Sequence, residues 1–551
     1  MNSEKPTCEL DPDCDVVVVG SGFAGIYALW QARQRGLSLR GFERGSDVGG
    51  TWYWNTYPGA RCDVESYNYA YFFDKDIVRD WDWSDACAGQ EEIQHYLRFV
   101  AERCDVLNDI SFDTKIVSAA HNQESGLWTV TTSHKEKIVC RYLVLAIGAL
   151  SEPKTPDIDG VDTFSGDTYF TSNWPKDHTV DLTGKRVGII GTGSSGVQAI
   201  PEIAKTASEV HVFQRTANYV TPTRSGPMDP DLVAKLRKDP HAVRQASRET
   251  YGGHTPLDIG KERFLELDKA GREHALSEAW DGTYVPLAFR DAYLPEANAA
   301  ISDFIREKML EQVNDSWTAN HLVPWDHPFG GKRPCMSNVY LQTYNLPHVH
   351  LVPLSETPIE HITTDGIKTT KELIPLDVIV YATGFDAISG PLFAIDISGI
   401  SGQSITEAWE DGPANYLGTM VHGFPNLFLP SSAMSPSVLS NMATLAEQQI
   451  DFIFDSIDWL ENHGRPLLHP STESQSYWRA ETLSYAKRRP GALSTKSWYS
   501  GANIPGKPRV FMVYCGGFKR YNEKCYSELM DGFPGYELIP PWASKHQVDD
   551  L

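Results

Sequence analysis

A chain of 551 residues is too long for one hydrophobic core, and its 41% hydrophobic and 11% aromatic content is that of a multidomain globular protein. The formal net charge of −23 argues against nucleic acid as a partner, because an acidic surface repels phosphate backbones. Residues 1–13 are polar and no apolar run approaches the ~20 residues that span a bilayer, so no leader or membrane anchor is expected; nine scattered cysteines without CxxC pairs suit a cytoplasmic protein.

Residues 15–19 (DVVVV) predict a strand buried on both faces of a parallel sheet. That strand feeds Gly20-Ser-Gly22-Phe-Ala-Gly25 and then IYALWQARQRG, an amphipathic helix closing at Gly36. The next strand, LSLRGFE, ends on Glu43. The three glycines allow a tight turn, close backbone approach to a pyrophosphate, and close packing of helix on strand. The helix N-terminus adds partial positive charge for the phosphates. Glu43 stands about 20 residues past the loop, where a carboxylate accepts hydrogen bonds from ribose hydroxyls and repels a 2′-phosphate. This cradle fits FAD or NAD better than NADP.

A second cradle follows. RVGII (186–190) runs into Gly191-Thr192-Gly193-Ser194-Ser195-Gly196, then the helix VQAIPEIAKTA and the strand EVHVFQR. Gln214 stands where Glu43 stood, and Arg215 follows; a neutral residue beside a guanidinium admits a 2′-phosphate. This site reads as NADPH. Two cradles of opposite ribose preference suit hydride transfer from NADPH to a flavin.

LVLAIGA (143–149) and DVIVYATGF (377–385) are buried-strand runs ending near glycine, where the chain crosses between the two units. Residues 226–332 carry charged helical patterns without strand signals. The expected fold is α/β, with two Rossmann-like dinucleotide-binding domains, for FAD and NADP, and a helical insertion. In chain order the FAD domain begins at 1–150, the NADP domain at 151–225, the insertion covers 226–332, and the NADP and FAD domains are completed by 333–388 and 389–551. The 17 histidines show no metal-ligand spacing and no GxSxG motif is present, so no metal and no serine nucleophile are expected. Cys62 reads as a small buried residue.

One segment combines glycines, tryptophans and a terminal acid: Gly49-Gly50-Thr51-Trp52-Tyr-Trp-Asn-Thr-Tyr57-Pro58-Gly59-Ala-Arg-Cys62-Asp63. With GKRP at 331–334, ATGFD ending at Asp386, SPSVLSNM at 435–442 and SWYSGANIPGK at 497–507, the chain resembles the type I Baeyer–Villiger monooxygenases. The resemblance runs from Val16 to about Gly535 and is closest to the phenylacetone and steroid monooxygenase branch.

The resemblance implies an FAD enzyme that uses NADPH and O2 to turn ketones into esters or lactones through a C4a-peroxyflavin. It makes Arg333 the catalytic arginine and Asp63 the carboxylate that pairs with and orients it. It places Gly50, Thr51, Trp52, Asp63 and Tyr69 near FAD, and Thr192, Ser194, Ser195, Arg215, Thr216 and Lys332 on NADPH. Trp498 falls on a loop that folds over NADP and substrate; Met434 and Leu439 are assigned to the substrate. Two departures stand out. The fingerprint F-x-G-x-x-x-H-x-x-x-W-P reads Phe164-Ser-Gly166-Asp-Thr-Tyr-Phe170-Thr-Ser-Asn-Trp174-Pro175, with Phe170 in place of the histidine. A phenyl ring neither hydrogen-bonds nor titrates, which puts coupling of reduction to oxygenation in question. Ser432-Ala433-Met434 stands where relatives tend to have Gly-Pro-Gly. Sulfide oxygenation, an uncoupled NADPH oxidase and a non-catalytic NADP-sensing protein are the competing readings, and a monomer or weak homo-oligomer is expected.

Overall fold

The computed structural model describes residues 11–256, 263–282, 285 and 288–540. The valine run forms β1 (Cys14–Val19), whose valines are all buried. β1 lies parallel between β2 (Leu39–Phe42) and β6 (Lys137–Leu145), with Val16 opposite Leu39 on one side and Tyr142 on the other. β3 (Ile110–Ser111) extends the sheet beyond β2, and the antiparallel pair β4 (Ile116–Asn122) and β5 (Leu127–Thr132) extends it beyond β6. Two late strands return to this sheet: β17 (Asp396–Ser398) beside β4 and β18 (Leu427–Phe428) beside β6.

Between β6 and β17 the chain builds a second, five-stranded parallel sheet. Its order is β12 (Val349–Pro353), β9 (Glu209–Gln214), β8 (Arg186–Ile190), β16 (Val378–Tyr381) and β7 (Asp167–Phe170). Gly148 and Gly384, both at positive φ, lie where the chain leaves one sheet and re-enters the other. A short ladder joins β10 (Val220–Thr221) to β11 (Cys335–Met336), and β13 (Ile359–Thr363), β14 (Gly366–Thr369) and β15 (Leu373–Pro375) form a small antiparallel sheet. β19 (Leu467–Pro470) pairs antiparallel with β20 (Tyr536–Ile539).

Between β10 and β11 the described residues form helices Pro230–Lys238, Pro240–Arg248, Lys269–Asp281, Pro295–Leu310 and Ser316–Leu322, and no strand. Their starts follow from local chemistry. Asp229, Asp239, Asp268 and Asp315 each accept a backbone N–H of the first turn, and three of the helices begin with proline, whose fixed φ suits that position.

The helix after the first glycine turn, α1 (Phe23–Gln34), departs from the amphipathic expectation. Its buried residues, Gly25 to Leu29 with Gln31 and Ala32, cover most of its circumference, because α1 is sandwiched between the sheet and the long helix Met442–Asn462. Polar residues on it are therefore buried and must be satisfied. Tyr27 and Gln31 donate to Asp451 Oδ1 at 2.6 and 2.7 Å. Arg244 and Arg248 each reach Asp451 Oδ2 at 2.6 Å, and Arg244 also pairs with Glu447. This buried network fastens helix Pro240–Arg248 to α1 and to Met442–Asn462. Among the described residues no helix is long and apolar enough to cross a membrane.

Candidate functional site

The two glycine turns are near-copies in atomic detail. Gly20 and Gly191 have φ of +97° and +115°, and a Cβ on either would come within 2.4 Å of a carbonyl, that of Ala146 or of Ala382. A Cβ on Gly25 would strike Gly20 O at 1.8 Å, and one on Gly196 would strike Gly191 O at 2.3 Å. Only glycine permits either packing. Gly22 and Gly193 are the N-caps of α1 and of helix Ser194–Ile203, and neither helix has a side-chain cap. Their first-turn N–H groups are thus left to a ligand, and at a helix N-terminus that ligand is an anion. A Cβ on Gly193 would meet nothing within 4 Å, so the turn is open on that side.

A cleft opens over the first turn, lined by Gly20 to Ala24, Glu43, Gly50, Thr51, Trp52, Tyr69 and, from the returning chain, Ser431, Val438 and Met442. Buried Glu43 accepts from Ser21 N and Oγ at 2.9 and 3.0 Å and from Gly45 N at 2.8 Å, which fixes its carboxylate at the end of β2. Trp52, on the short helix α2 (Thr51–Trp54), donates from Nε1 to Tyr69 OH at 3.1 Å, their rings edge to face at 5.5 Å. Burial pushes the Tyr69 hydroxyl well above its usual range. The uncapped helix start, the glycine cradle and the acid at the strand end suit FAD.

At the second turn, Thr192 Oγ1 donates to Thr216 O at 3.2 Å, and Ser194 Oγ lies 3.8 Å from Cys335 Sγ. Gln214 is buried and donates to His321 O at 2.6 Å, so its amide is spent on the insertion. Arg215 is exposed beyond it. Lys332 is held below its usual pKa by burial, with Arg215 also opposing its charge; Lys154 is lowered by burial and by the same guanidinium. Three cations thus gather past this strand end, a donor set that suits a 2′-phosphate. Lys154 had no motif to mark it.

The segment that ends in Asp63 is docked between the two turns. Tyr57 OH donates to Gln198 Oε1 at 2.7 Å, Gln198 Nε2 donates to Arg61 O at 3.1 Å, and Gly59, at φ +79°, sits 2.5 Å from Gln198 O measured from its virtual Cβ. Asp63 then meets Arg333 in a bidentate pair, Nε to Oδ2 at 2.9 Å and Nη2 to Oδ1 at 2.7 Å. The third guanidinium nitrogen, Nη1, donates to Val438 O at 2.7 Å. Asn218 Nδ2 holds the Arg333 carbonyl at 3.0 Å, next to the β10–β11 ladder. Asp63 holds the Arg333 pKa well above its ordinary value, so the charge is permanent.

Two further residues share this place, Tyr499 of the 497–507 segment and His254, which no motif marks. Tyr499, buried beside Trp498 with ring centroids 4.6 Å apart, has its hydroxyl pKa raised by burial and opposed by Arg333. His254 is pushed down to about 4 by burial and by Arg333, and its Nδ1 has no hydrogen-bond partner. Its loop is pinned on both sides, with Asn441 N donating to Gly252 O and Thr255 N to Asn68 Oδ1, each at 2.8 Å. The loop carrying Trp498 is clamped to the crossover strand end. Asn503 Nδ2 donates to Phe385 O at 2.9 Å, Lys154 Nζ donates to Asn503 O at 2.7 Å, and Lys507 pairs with Asp386.

Other expected residues fall elsewhere. Leu439 is half-buried one residue past Val438, whereas Met434 is fully buried in the core of the first unit and does not line the cleft. Its φ of +59° explains why glycine suits that position. Phe170, at the end of edge strand β7, packs in the core of the second unit rather than at the Arg333 pair.

A family model described as flavin-binding monooxygenase-like matches residues 13–229. A Baeyer–Villiger monooxygenase of Pseudooceanicola batsensis is 36% identical over 538 residues, 95% of this chain and 95% of its own. Among solved structures, oxidized steroid monooxygenase bound to NADP is 41% identical with a TM-score of 0.89, covering 96% of this chain and 99% of its own. The OTEMO complex with FAD and NADP is 36% identical with a TM-score of 0.91, covering 96% of this chain and 100% of its own.

Proposed function

The chain belongs to the Baeyer–Villiger monooxygenases of the flavin-binding monooxygenase-like family, and from that premise we propose how its own residues divide the work. It is an FAD-dependent enzyme that uses NADPH and O2 to convert ketones to esters or lactones. Bound FAD supplies the redox chemistry, accepting a hydride from NADPH and passing one oxygen atom of O2 to the ketone.

Arg333 is the group that holds negative charge on oxygen as the carbonyl is attacked. The observation that carries this reading is the anchored guanidinium: three of its five N–H donors, two on Asp63 and one on Val438 O, fix its plane before substrate arrives and leave one N–H on each of Nη1 and Nη2 for a negatively charged oxygen. Such a preorganised cation costs no reorganisation during the reaction. Asp63 is the positioning residue that orients it. Buried Cys62 and Tyr499 and half-buried Tyr69 surround the pair and limit its contact with water, which strengthens charge stabilisation.

FAD is bound at Gly20, Gly22, Gly25, Glu43, Gly50, Thr51, Trp52 and Tyr69, with Asp63 at its edge. NADPH is bound at Gly191, Thr192, Gly193, Ser194, Ser195, Gly196 and Thr216, its 2′-phosphate by Arg215, Lys332 and Lys154, with Trp498 folding over it. Val438 and Met442, which line the cleft, and Leu439 between them face the ketone, whereas Met434 supports them from the core. The chain divides at residues 150, 225, 332 and 388; in support, the first sheet draws its strands from 14–145 and 396–428 and the five-stranded sheet from 167–214 and 349–381. A monomer or weak homo-oligomer in the cytoplasm is the working form, a setting that suits the free described cysteines.

The test is to incubate FAD-loaded protein with NADPH, O2, a panel of cyclic, aryl and steroidal ketones, and a thioether. Ester or lactone formation from a ketone, lost in Arg333→Ala while NADPH still reduces the flavin, is the expected result. Unimpaired ester formation by Arg333→Ala removes that residue from its role.

A further inference from the structure

Away from both glycine turns, His422, His469 and Glu537 converge; none of them lines the flavin cleft. We propose that these three residues bind one divalent transition-metal cation of the Zn2+ class through two imidazoles and a carboxylate.

The backbone brings the groups together. His469 on β19 and Glu537 on β20 are directly opposed in antiparallel register, so their side chains share a face. The His422 ring meets the His469 ring edge to face, centroids 5.1 Å apart. One ligand atom from each residue lies within 4.8 Å of the other two. A cation with bonds of about 2.0–2.2 Å draws such a triad together with small side-chain rotations.

One member is short of a partner. His469 is 3% exposed by side chain, and its buried Nε2 makes no hydrogen bond; Glu537 Oε2 is 3.7 Å away, too far to serve. At His422, Nδ1 lies 2.9 Å from Pro470 O; a carbonyl only accepts, so the proton sits on Nδ1 and Nε2 carries its lone pair outward. Metal-bound histidines are held in this way, by a backbone carbonyl on the far nitrogen. At His469, Nδ1 faces both the Pro470 carbonyl at 3.2 Å and the donating Gly423 N–H at 3.4 Å, and the tautomer that accepts from Gly423 is exchanged for the metal-binding one without loss of a partner at Nδ1. At His422, Nε2 meets only Thr472 Oγ1, at 3.3 Å, and Nδ1 stands 4.0 Å from Glu537 Oε1.

Imidazole with a single carboxylate selects Zn2+, Ni2+ or Cu2+ over Ca2+ and Mg2+, which take oxygen ligands. Glu537 is half exposed, leaving a coordination position for water. The bound cation ties three separate segments: the turn at 422, β19, and β20, which is the last described element. Tyr536, beside Glu537, packs on Tyr416 at 5.2 Å, so the cation reinforces the seat of this strand on the first unit.

The test uses tag-free, FAD-loaded enzyme stripped with chelator and dialysed against Zn2+ or Co2+, with metal per chain read by mass spectrometry and Co2+ coordination read from its visible bands. Wild type is expected to take up one equivalent, to show the intense bands of four-coordinate Co2+, and to melt at a higher temperature with metal than without. Glu537→Gln and His422→Gln, both at partly exposed positions, are expected to weaken uptake by about tenfold or more while FAD content and NADPH oxidation stay unchanged. Uptake well below one equivalent in wild type, or equal uptake by wild type and both variants, overturns the proposal.

Discussion

The ring of Phe170 stacks on that of Tyr381, centroids 4.8 Å apart and planes 26° apart, across the β7–β16 ladder where the two residues are register partners. The residue standing in the fingerprint's histidine position is thus a packing group at the edge of the NADP sheet. Phe170→His removes an aromatic contact and half-buried apolar surface. Stability is expected to fall by about 1–2 kcal/mol, read as a lower urea midpoint with an unchanged slope. Because the hydrogen-bonding group of the fingerprint is restored at the end of β7, product formed per NADPH consumed is expected to rise. An unchanged urea midpoint would show that the stack adds nothing.

Arg333 is anchored at all three nitrogens by Asp63 and the Val438 carbonyl, which leaves one N–H on each of Nη1 and Nη2 for the reacting oxygen. Loss of such a preorganised donor costs roughly 100-fold or more in the step it serves. Arg333→Ala is expected to lose ester formation by at least that factor, while anaerobic flavin reduction by NADPH slows far less. Asp63→Asn keeps the charge but weakens its orientation, so it should fall between wild type and Arg333→Ala in single-turnover oxygenation. The opposite ranking would separate Asp63 from Arg333.

Both cradles were legible because their constraints are local. A strand, a glycine at positive φ, a glycine under a carbonyl and a helix start all fall within about a dozen residues, and each demands a particular residue type. The Arg333–Asp63 pair spans 270 positions, so no periodicity reveals it, and only resemblance to a family brought it forward. His254 and Lys154 were invisible for the same reason: each belongs to a segment that tertiary packing carries to the site, whereas Tyr499 stands beside Trp498 in the 497–507 segment and was not singled out from it. Met434 was misread because a methionine at positive φ, locked through its backbone to Met512 and Trp478, is a core residue whatever its neighbours in sequence. The α1 helix looked amphipathic because its polar Gln31 and hydroxyl-bearing Tyr27 are satisfied inside the protein by Asp451, 420 and 424 positions away.

Arg215 opposes the charge of both Lys332 and Lys154, a repulsion that a bound anion relieves. Arg215→Ala is expected to raise KM for NADPH by about tenfold to 100-fold, the worth of one charge-assisted hydrogen bond, and to leave KM for NADH nearly unchanged. Lys154→Ala should shift NADPH in the same direction by a smaller factor, because its Nζ is shared with Asn503 O. Steady-state kinetics with both nucleotides checks this; equal effects on NADPH and NADH would contradict a 2′-phosphate contact.

Arg244 neutralises Glu447 and Asp451 within the protein, and all three side chains are at most 13% exposed. Arg244→Met leaves Glu447 without its guanidinium partner and Asp451 with Arg248 alone. Breaking a buried pair from one side costs about 3–5 kcal/mol, so chemical denaturation should show a loss of that order. Because Arg244 also fastens the helical insertion to α1, limited proteolysis of the insertion should quicken in the same variant. Wild-type stability in Arg244→Met would mean that the network is not closed in solution.

His254 contributes to the response to acid, as does His121, which burial also pushes down to about 4. The folded pKa of His254, about 4, lies below the ordinary value of 6.5, so between these limits the unfolded chain binds a proton that the folded chain refuses. Stability therefore rises with pH across that window and falls as pH drops from 6.5 towards 4. Moving from pH 7 to pH 5 should remove on the order of 2 kcal/mol through this one imidazole, and a protonated His254 beside Arg333 would repel the cation the site depends on. His254→Gln keeps a polar side chain that does not titrate. Its stability should therefore decline less between pH 7 and pH 5 than that of wild type, by about the same 2 kcal/mol, in paired urea titrations. Parallel pH profiles for the two proteins would show that His254 is not buried in its neutral form.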